Sequence, residues 1–233
     1  MLRSQTERWA RKQPNSGEIS GRLVTVLDPK SAASEAYRTL RTNLIYAEVD
    51  APPRVILVTS PGQAEGKSTV CANLGVVLAQ SGKSTLVIDC DFRRPVMHEV
   101  FGLRNTVGVA EVAIGACELQ EACQEPLPDL DLKVMTVGAL PPNPAEFAAS
   151  RRLSEILATV REKFDHILVD SSPVGQVSDP IVLATQIDGV LLALDARNTR
   201  KGSVQRAVHN LATVGANVLG TVMNNADSKD VYY

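Results

Sequence analysis

Between Val55 and Met223 the chain alternates short unbroken apolar runs with longer stretches whose apolar residues recur every three or four positions. The runs are VILVT (55–59), TLVID (85–89), LKVMTV (132–137), HILVD (166–170), GVLLAL (189–194) and VLGTVM (218–223). A strand with one wet face alternates apolar and polar residues, whereas an unbroken run suits a strand covered on both faces, as in a parallel sheet. Helical spacing fills the gaps at 67–80, 145–164 and 201–214. In the second of these, Phe147, Leu153, Ile156, Leu157, Val160 and Phe164 share a face. Upstream, SEAYRTLRTNLIYAEV reads as a helix capped by Ser34 and ended before Pro52-Pro53. This alternation predicts an α/β fold: a doubly wound, mostly parallel sheet with right-handed crossovers. Ligands of such sheets bind beyond the carboxyl ends of the strands.

One such domain accounts for a chain of 233 residues. The expected division is a polar segment over 1–30, a domain over 31–223 and a flexible tail over 224–233. In the first segment Arg3, Arg8, Arg11 and Lys12 surround Trp9. That pattern reads either as a frayed terminus or as a short basic helix touching a membrane or partner. An apolar fraction of 44% excludes global disorder, and a net charge of −2 argues against a nucleic-acid binder. No apolar run reaches the roughly 18–20 residues that span a bilayer, and no signal peptide is recognisable. A cytoplasmic protein is expected, with any membrane role arriving through a partner. Cys71, Cys90, Cys117 and Cys123 show no zinc spacing and read as reduced thiols, and His98, His166 and His209 form no ligand pattern.

The chemistry collects at strand ends. After VILVT comes TSPGQAEGKST (59–69), which runs into a helix. Backbone N–H groups of such a loop and the helix N-terminus cradle a β-phosphate. Lys67 then neutralises β/γ oxygens and the Ser68 hydroxyl ligates Mg²⁺. The strict phosphate-loop formula has glycine where this chain has Pro61, and the early glycine here is Gly62. Gly62, Glu65, Gly66, Lys67, Ser68 and Thr69 are therefore the expected phosphate-binding residues. The next strand ends in LVIDCDFRRP, with Asp89 and Asp91 on one side of the backbone. One suits the approach to Mg²⁺ and the other the proton of an attacking hydroxyl. A turn-capping aspartate is the bland alternative. In Ile167-Leu-Val-Asp-Ser-Ser-Pro173, Asp170 is the candidate second anchor for the metal. These stations describe ATP·Mg²⁺ chemistry, with water (an ATPase switch) or a side-chain hydroxyl (a kinase) as acceptor.

From about Val24 onward the chain resembles the bacterial tyrosine kinases of capsular and exopolysaccharide export. These belong to the deviant phosphate-loop ATPase group of P-loop folds. The resemblance rests on motifs met in a fixed order. DPKSAASEAYRTLRTNL, TSPGQAEGKST, VIDCDFRRP, GVAEVAIG and LPPNPAEFAAS come first. The stretch from Ile167 to Pro180 around Asp170, then DGVLLAL and GTVMNN, complete the series. Related partition and division-site ATPases carry a lysine at the position of Gly62, and its absence points to the kinase branch. Many relatives have Asp-Thr-Pro-Pro where this chain has Asp170-Ser171-Ser172-Pro173.

The resemblance implies ATP-dependent autophosphorylation in trans of tail tyrosines, here Tyr232 and Tyr233, with ATP and Mg²⁺ as cofactors. It assigns Lys67, Asp89, Asp91 and Asp170 to catalysis, with Asp89 as base and Ser68, Asp91 and Asp170 on the metal. Exchange of roles between Asp89 and Asp91 stays open. It places Asn224 against the adenine. The motif Glu35-x-x-Arg38-x-x-Arg41 would assemble a ring, whereas the residues alone read as a solvated, salt-bridged face. At roughly 3.3 Å per residue, the stretch 224–233 reaches about 30 Å, enough to meet a neighbouring site. A transmembrane chain-length regulator is the expected partner, recruiting the chain to the inner membrane face. The expected output is control of polysaccharide polymerisation and export. The alternative is an ATP-hydrolysing switch of the partition or division-site type.

Overall fold

The computed structural model describes residues 17–46 and 52–226. Trp9 with its basic neighbours, and Tyr232 and Tyr233, lie outside these residues. The strands are β1 (Val55–Thr59), β2 (Thr85–Cys90), β3 (Cys123–Gln124), β4 (Leu132–Met135), β5 (His166–Ser171), β6 (Gly189–Asp195) and β7 (Val218–Asn224). They form one sheet in the order β3-β4-β2-β5-β1-β6-β7. All neighbours pair parallel except the short edge strand β3, which runs antiparallel to β4.

Helices cover both faces, which is why the strands read as unbroken apolar runs. Side chains alternate across the sheet, so Ile56 and Val58 of β1 face one core while Val55 and Leu57 face the other. On the first face lie α1 (Val24–Leu27), α2 (Ala32–Tyr46), α3 (Lys67–Gln80) and α4 (Met97–Phe101). On the second lie α5 (Val109–Ala113), α6 (Leu119–Ala122), α7 (Pro144–Ala148), α8 (Arg151–Arg161), α9 (Asp179–Ala184) and α10 (Lys201–Ala212). Helix α3 is apolar nearly all round because the sheet lies beneath it and α2 above. Its Gly75 allows that approach, since a Cβ there would sit 2.6 Å from Val87 Cγ2.

Several boundaries differ from expectation for identifiable reasons. Ser31, not Ser34, caps α2, its Oγ accepting the Ser34 N–H at 3.2 Å. Ser34 is buried and donates its hydroxyl to the Asp28 carbonyl at 2.7 Å. The single helix expected over 145–164 is two, because extended Ser150 interrupts it and caps α8 through the Leu153 N–H. The folded unit also starts upstream of residue 31: Leu23 and Thr25 are fully buried, and Ile19 packs on the first core. Among the described residues no helix is long and apolar enough to cross a membrane.

Candidate active site

Strand order brings three distant motifs side by side. β2, β5 and β1 are neighbours, with Asp89 opposite Asp170 and Asp170 opposite Val58. The carboxyl ends of all three strands therefore meet at the loop 60–66 that joins β1 to α3.

That loop is shaped largely by its own side chains. Ser60 Oγ donates to the Gly62 carbonyl at 2.6 Å, and the Gly62 N–H donates to Glu65 Oε2 at 2.8 Å. The other Glu65 oxygen accepts from Thr199 Oγ1 at 2.6 Å, and the Glu65 carbonyl accepts from Asn224 Nδ2 at 2.8 Å. Gly66 then turns into α3 with φ +86°. A Cβ at Gly66 would lie 2.3 Å from Asn224 Nδ2, so glycine is required twice over. The first N–H groups of α3 follow, ready for an anion.

Lys67 Nζ lies 2.8 Å from Asp91 Oδ2 and 3.6 Å from Asp170 Oδ1. Ser68 Oγ donates to Asp170 Oδ2 at 2.6 Å. Burial alone would lower the Lys67 pKa, but Asp170 and Asp91 override it and hold the ammonium protonated above its ordinary value. Asp91 is also desolvated, yet Lys67 together with the Ser172 hydroxyl and the Arg94 N–H pulls it below the usual carboxylate range. Asp170 is raised by complete burial, against the pull of Lys67 and Ser68.

Asp89 has a different setting. It is wholly buried, its Oδ1 accepts the Asp91 N–H at 3.0 Å, and its Oδ2 accepts those of Val96 and Met97 at 3.1 and 3.0 Å. Burial, reinforced by Asp170, pushes its pKa up to about 8 against the pull of those amides. Asp91 lines the cavity above; Asp89 holds the backbone beneath it.

The cavity has a volume of about 490 Å³. Of the expected residues, Gly66, Lys67, Ser68, Thr69 and Asp91 line it. Gly62 and Glu65 shape the loop instead, Asp170 sits under Ser68, and Asn224 braces the Glu65 carbonyl. Arg22, Gln63, Arg93, Arg94, Ser172 and Gln176 also line the cavity and were not foreseen. The arginine pair stands inside LVIDCDFRRP, where the carboxylates carry the recognisable chemistry. Arg93 forms a two-point pair with buried Asp179, 2.7 and 3.1 Å, that ties the β2 loop to α9.

The donor set suits magnesium. Asp170 Oδ1 is buried with no hydrogen-bond partner, beside the Ser68 hydroxyl and Asp91, and all three are hard oxygen donors. Among the described residues no cluster of three His, Cys, Asp or Glu would hold a metal alone. Magnesium commonly keeps waters and substrate phosphates as its remaining ligands.

On α2, Arg38 pairs with Glu35 at 2.8 Å, and Arg41 donates to the Val77 carbonyl at 3.0 Å. Glu35 is exposed, while both arginines are half-buried.

Residues 56–232 match the family model described as the CobQ/CobB/MinD/ParA nucleotide binding domain. The chain is 36% identical over 215 residues to the tyrosine-protein kinase YwqD of Bacillus subtilis (strain 168), covering 92% of this chain and 90% of the relative. It is 34% identical over 207 residues to the putative tyrosine-protein kinase CapB of Staphylococcus aureus, covering 88% and 90%. The crystal structure of the chimerical protein CapA2B2 superposes with a TM-score of 0.84 at 32% identity, covering 91% of this chain and 94% of the other.

Proposed function

The chain belongs to the bacterial tyrosine kinases, within the CobQ/CobB/MinD/ParA nucleotide-binding class, and on that premise we propose that it transfers the γ-phosphoryl group of ATP to tyrosine hydroxyls. The observation that carries this reading is the Lys67 ammonium held between Asp91 and Asp170 at the mouth of the loop, with Ser68 on Asp170.

The loop amides and the start of α3 would receive the triphosphate, whose oxygens would compete with Asp91 for the Lys67 ammonium. Ser68 and Asp170, with Asp91 alongside, would hold magnesium, which would supply positive charge against the phosphate oxygens. The phenol oxygen bonds to the γ-phosphorus as the bond to the β,γ-bridging oxygen breaks and ADP leaves. The phenolic proton passes to a carboxylate on the cavity wall. Asp89 is enclosed and Asp91 lines the cavity, which supports Asp91 as that group where Asp89 was first expected. Asp89 positions residues 91–97 by accepting their N–H groups.

Tyr232 and Tyr233 are the proposed acceptors, presented by one copy to the next in a ring built on Glu35, Arg38 and Arg41. Phosphorylated tails would repel one another and loosen that ring. A transmembrane chain-length regulator would bring the chain to the inner membrane face, where the cycle controls capsule or exopolysaccharide polymerisation and export.

The test is to incubate the full chain with ATP and Mg²⁺ and map phosphate by mass spectrometry. Phosphate on Tyr232 or Tyr233 is expected, also on a Lys67→Met chain mixed with the wild type. ATP turnover with both tyrosines unmodified identifies a hydrolytic switch instead. For the ring, Glu35→Ala with Arg38→Ala should move sedimentation from oligomer to monomer; an unchanged profile removes that surface from the proposal.

A further inference from the structure

The mouth of this cavity carries more positive charge than its own carboxylates neutralise. Lys67 is answered by Asp91 and Asp170, and Arg93 by Asp179. Arg22 and Arg94 line the same cavity, are exposed, and form no ion pair among the described residues.

The Arg94 side chain and the Arg22 backbone are held in place. The Arg94 N–H donates to Asp91 Oδ1 at 3.0 Å, and its Nη1 donates to Gln63 Oε1 at 3.2 Å. Gln63 Nε2 donates onward to Gln176 Oε1 at 2.8 Å, so the three loops around the mouth are linked. The Arg22 carbonyl accepts from Asn73 Nδ2 at 2.8 Å. Asn73 is buried in α3 and also accepts the N–H and hydroxyl of Thr25, which pins this segment to the helix that follows the phosphate loop.

The residues beyond the described fold read DSKDVYY, with Asp227 and Asp230 just ahead of Tyr232 and Tyr233. We propose that Arg22 and Arg94 select acceptor tyrosines preceded by acidic residues, and that residues 227–233 of a second copy of this chain are such an acceptor. The inference rests on the kinase reading above and names the residues that choose its substrate. A guanidinium takes a carboxylate through two parallel N–H bonds, which orients the chain as well as attracting it. Because the Arg94 backbone is bonded to Asp91, a carboxylate gripped by Arg94 delivers the tyrosine that follows it to the group that accepts its proton.

The full chain is given ATP and either of two synthetic acceptors: a peptide of residues 224–233, or the same peptide with Asp227→Asn and Asp230→Asn. The acidic peptide is expected to show a kcat/KM about three- to tenfold higher, two exposed charge pairs being worth that much. The advantage shrinks in high salt. Arg22→Ala and Arg94→Ala should raise the KM for the acidic peptide and not the KM for ATP. Arg94→Glu should prefer a peptide with lysine at both aspartate positions. Equal use of the two peptides by the wild type overturns the selection and leaves the kinase reading standing. A rise in the KM for ATP instead assigns the arginines to the triphosphate and also overturns it. Phosphorylation of neither peptide while the chain's own Tyr232 or Tyr233 is phosphorylated overturns the selection alone, and bare tyrosines on the chain as well defeat the kinase reading with it.

Discussion

Gly66→Ala should destabilise the nucleotide-free protein through two separable effects. Gly66 has φ +86°, and an L-residue there costs about 1–2 kcal/mol. Its new Cβ would also stand 2.3 Å from Asn224 Nδ2, so the amide must move and release the Glu65 carbonyl. Losing that bond adds about 1 kcal/mol, for a total of about 2–3 kcal/mol. A double-mutant cycle with Asn224→Ala separates the two, because that substitution removes the clash and the bond together. In the Asn224→Ala background, Gly66→Ala should cost only the backbone strain, leaving a coupling of about 1 kcal/mol. Urea unfolding followed by far-UV circular dichroism measures all four proteins, provided the m-value holds across the set. Equal costs of Gly66→Ala in both backgrounds would show that β7 does not constrain the loop, and the reasoning would be refuted.

Asp91→Asn should lower kcat for tyrosine phosphorylation by about 10²–10⁴ in the protein that stays folded, and loss of the buried Lys67 pair should lower Tm as well. Asp89→Asn should instead cost about 1–3 kcal/mol of stability, because its NH₂ group faces amides that need an acceptor. A larger loss of kcat per folded molecule for Asp89→Asn than for Asp91→Asn restores Asp89 as the base. Asp188 accepts the N–H groups of Arg54 and Val55 and pairs with Arg161. Partial burial opposes these contacts, but they hold its pKa below the usual value. Its contribution is present above the unfolded pKa near 4 and is lost as pH falls through the lower folded value. Asp188→Asn should therefore reduce stability near pH 7 by about 1 kcal/mol, a figure discounted for solvent screening. That gap should narrow as pH falls below about 4, and an undiminished difference in Tm in acid rejects the assignment.

The central strands were legible because burial on both faces leaves a local mark, an unbroken apolar run at a period no surface strand shows. Helix α3 was legible for a similar reason, since GKS a short loop after such a run admits few other readings. The short helices α4, α5, α6 and α9 left no comparable mark. At four to six residues they are too brief to display a 3.6-residue period. The split between α7 and α8 was also missed. Ser150 is a good cap, but only packing decides whether a serine within an apolar helical stretch ends one helix or sits inside another.

At the site, sequence alone determined which residue types stand at which strand ends: a lysine in the loop after β1, two aspartates at the end of β2 and one at the end of β5. Strand ends follow from local patterning, and in a parallel sheet they all point to one edge. Tertiary structure decided what each of these side chains does there. Asp89 and Asp91 look alike in LVIDCDFRRP, yet one is enclosed by the amides of residues 91, 96 and 97 while the other faces the cavity. Glu65 meets Thr199 and Asn224, and Arg93 meets Asp179, across separations in sequence that no local pattern records. Where the regular alternation of a strand stops, side-chain direction is set by whichever loop lies opposite, and the order of strands in the sheet chooses that loop.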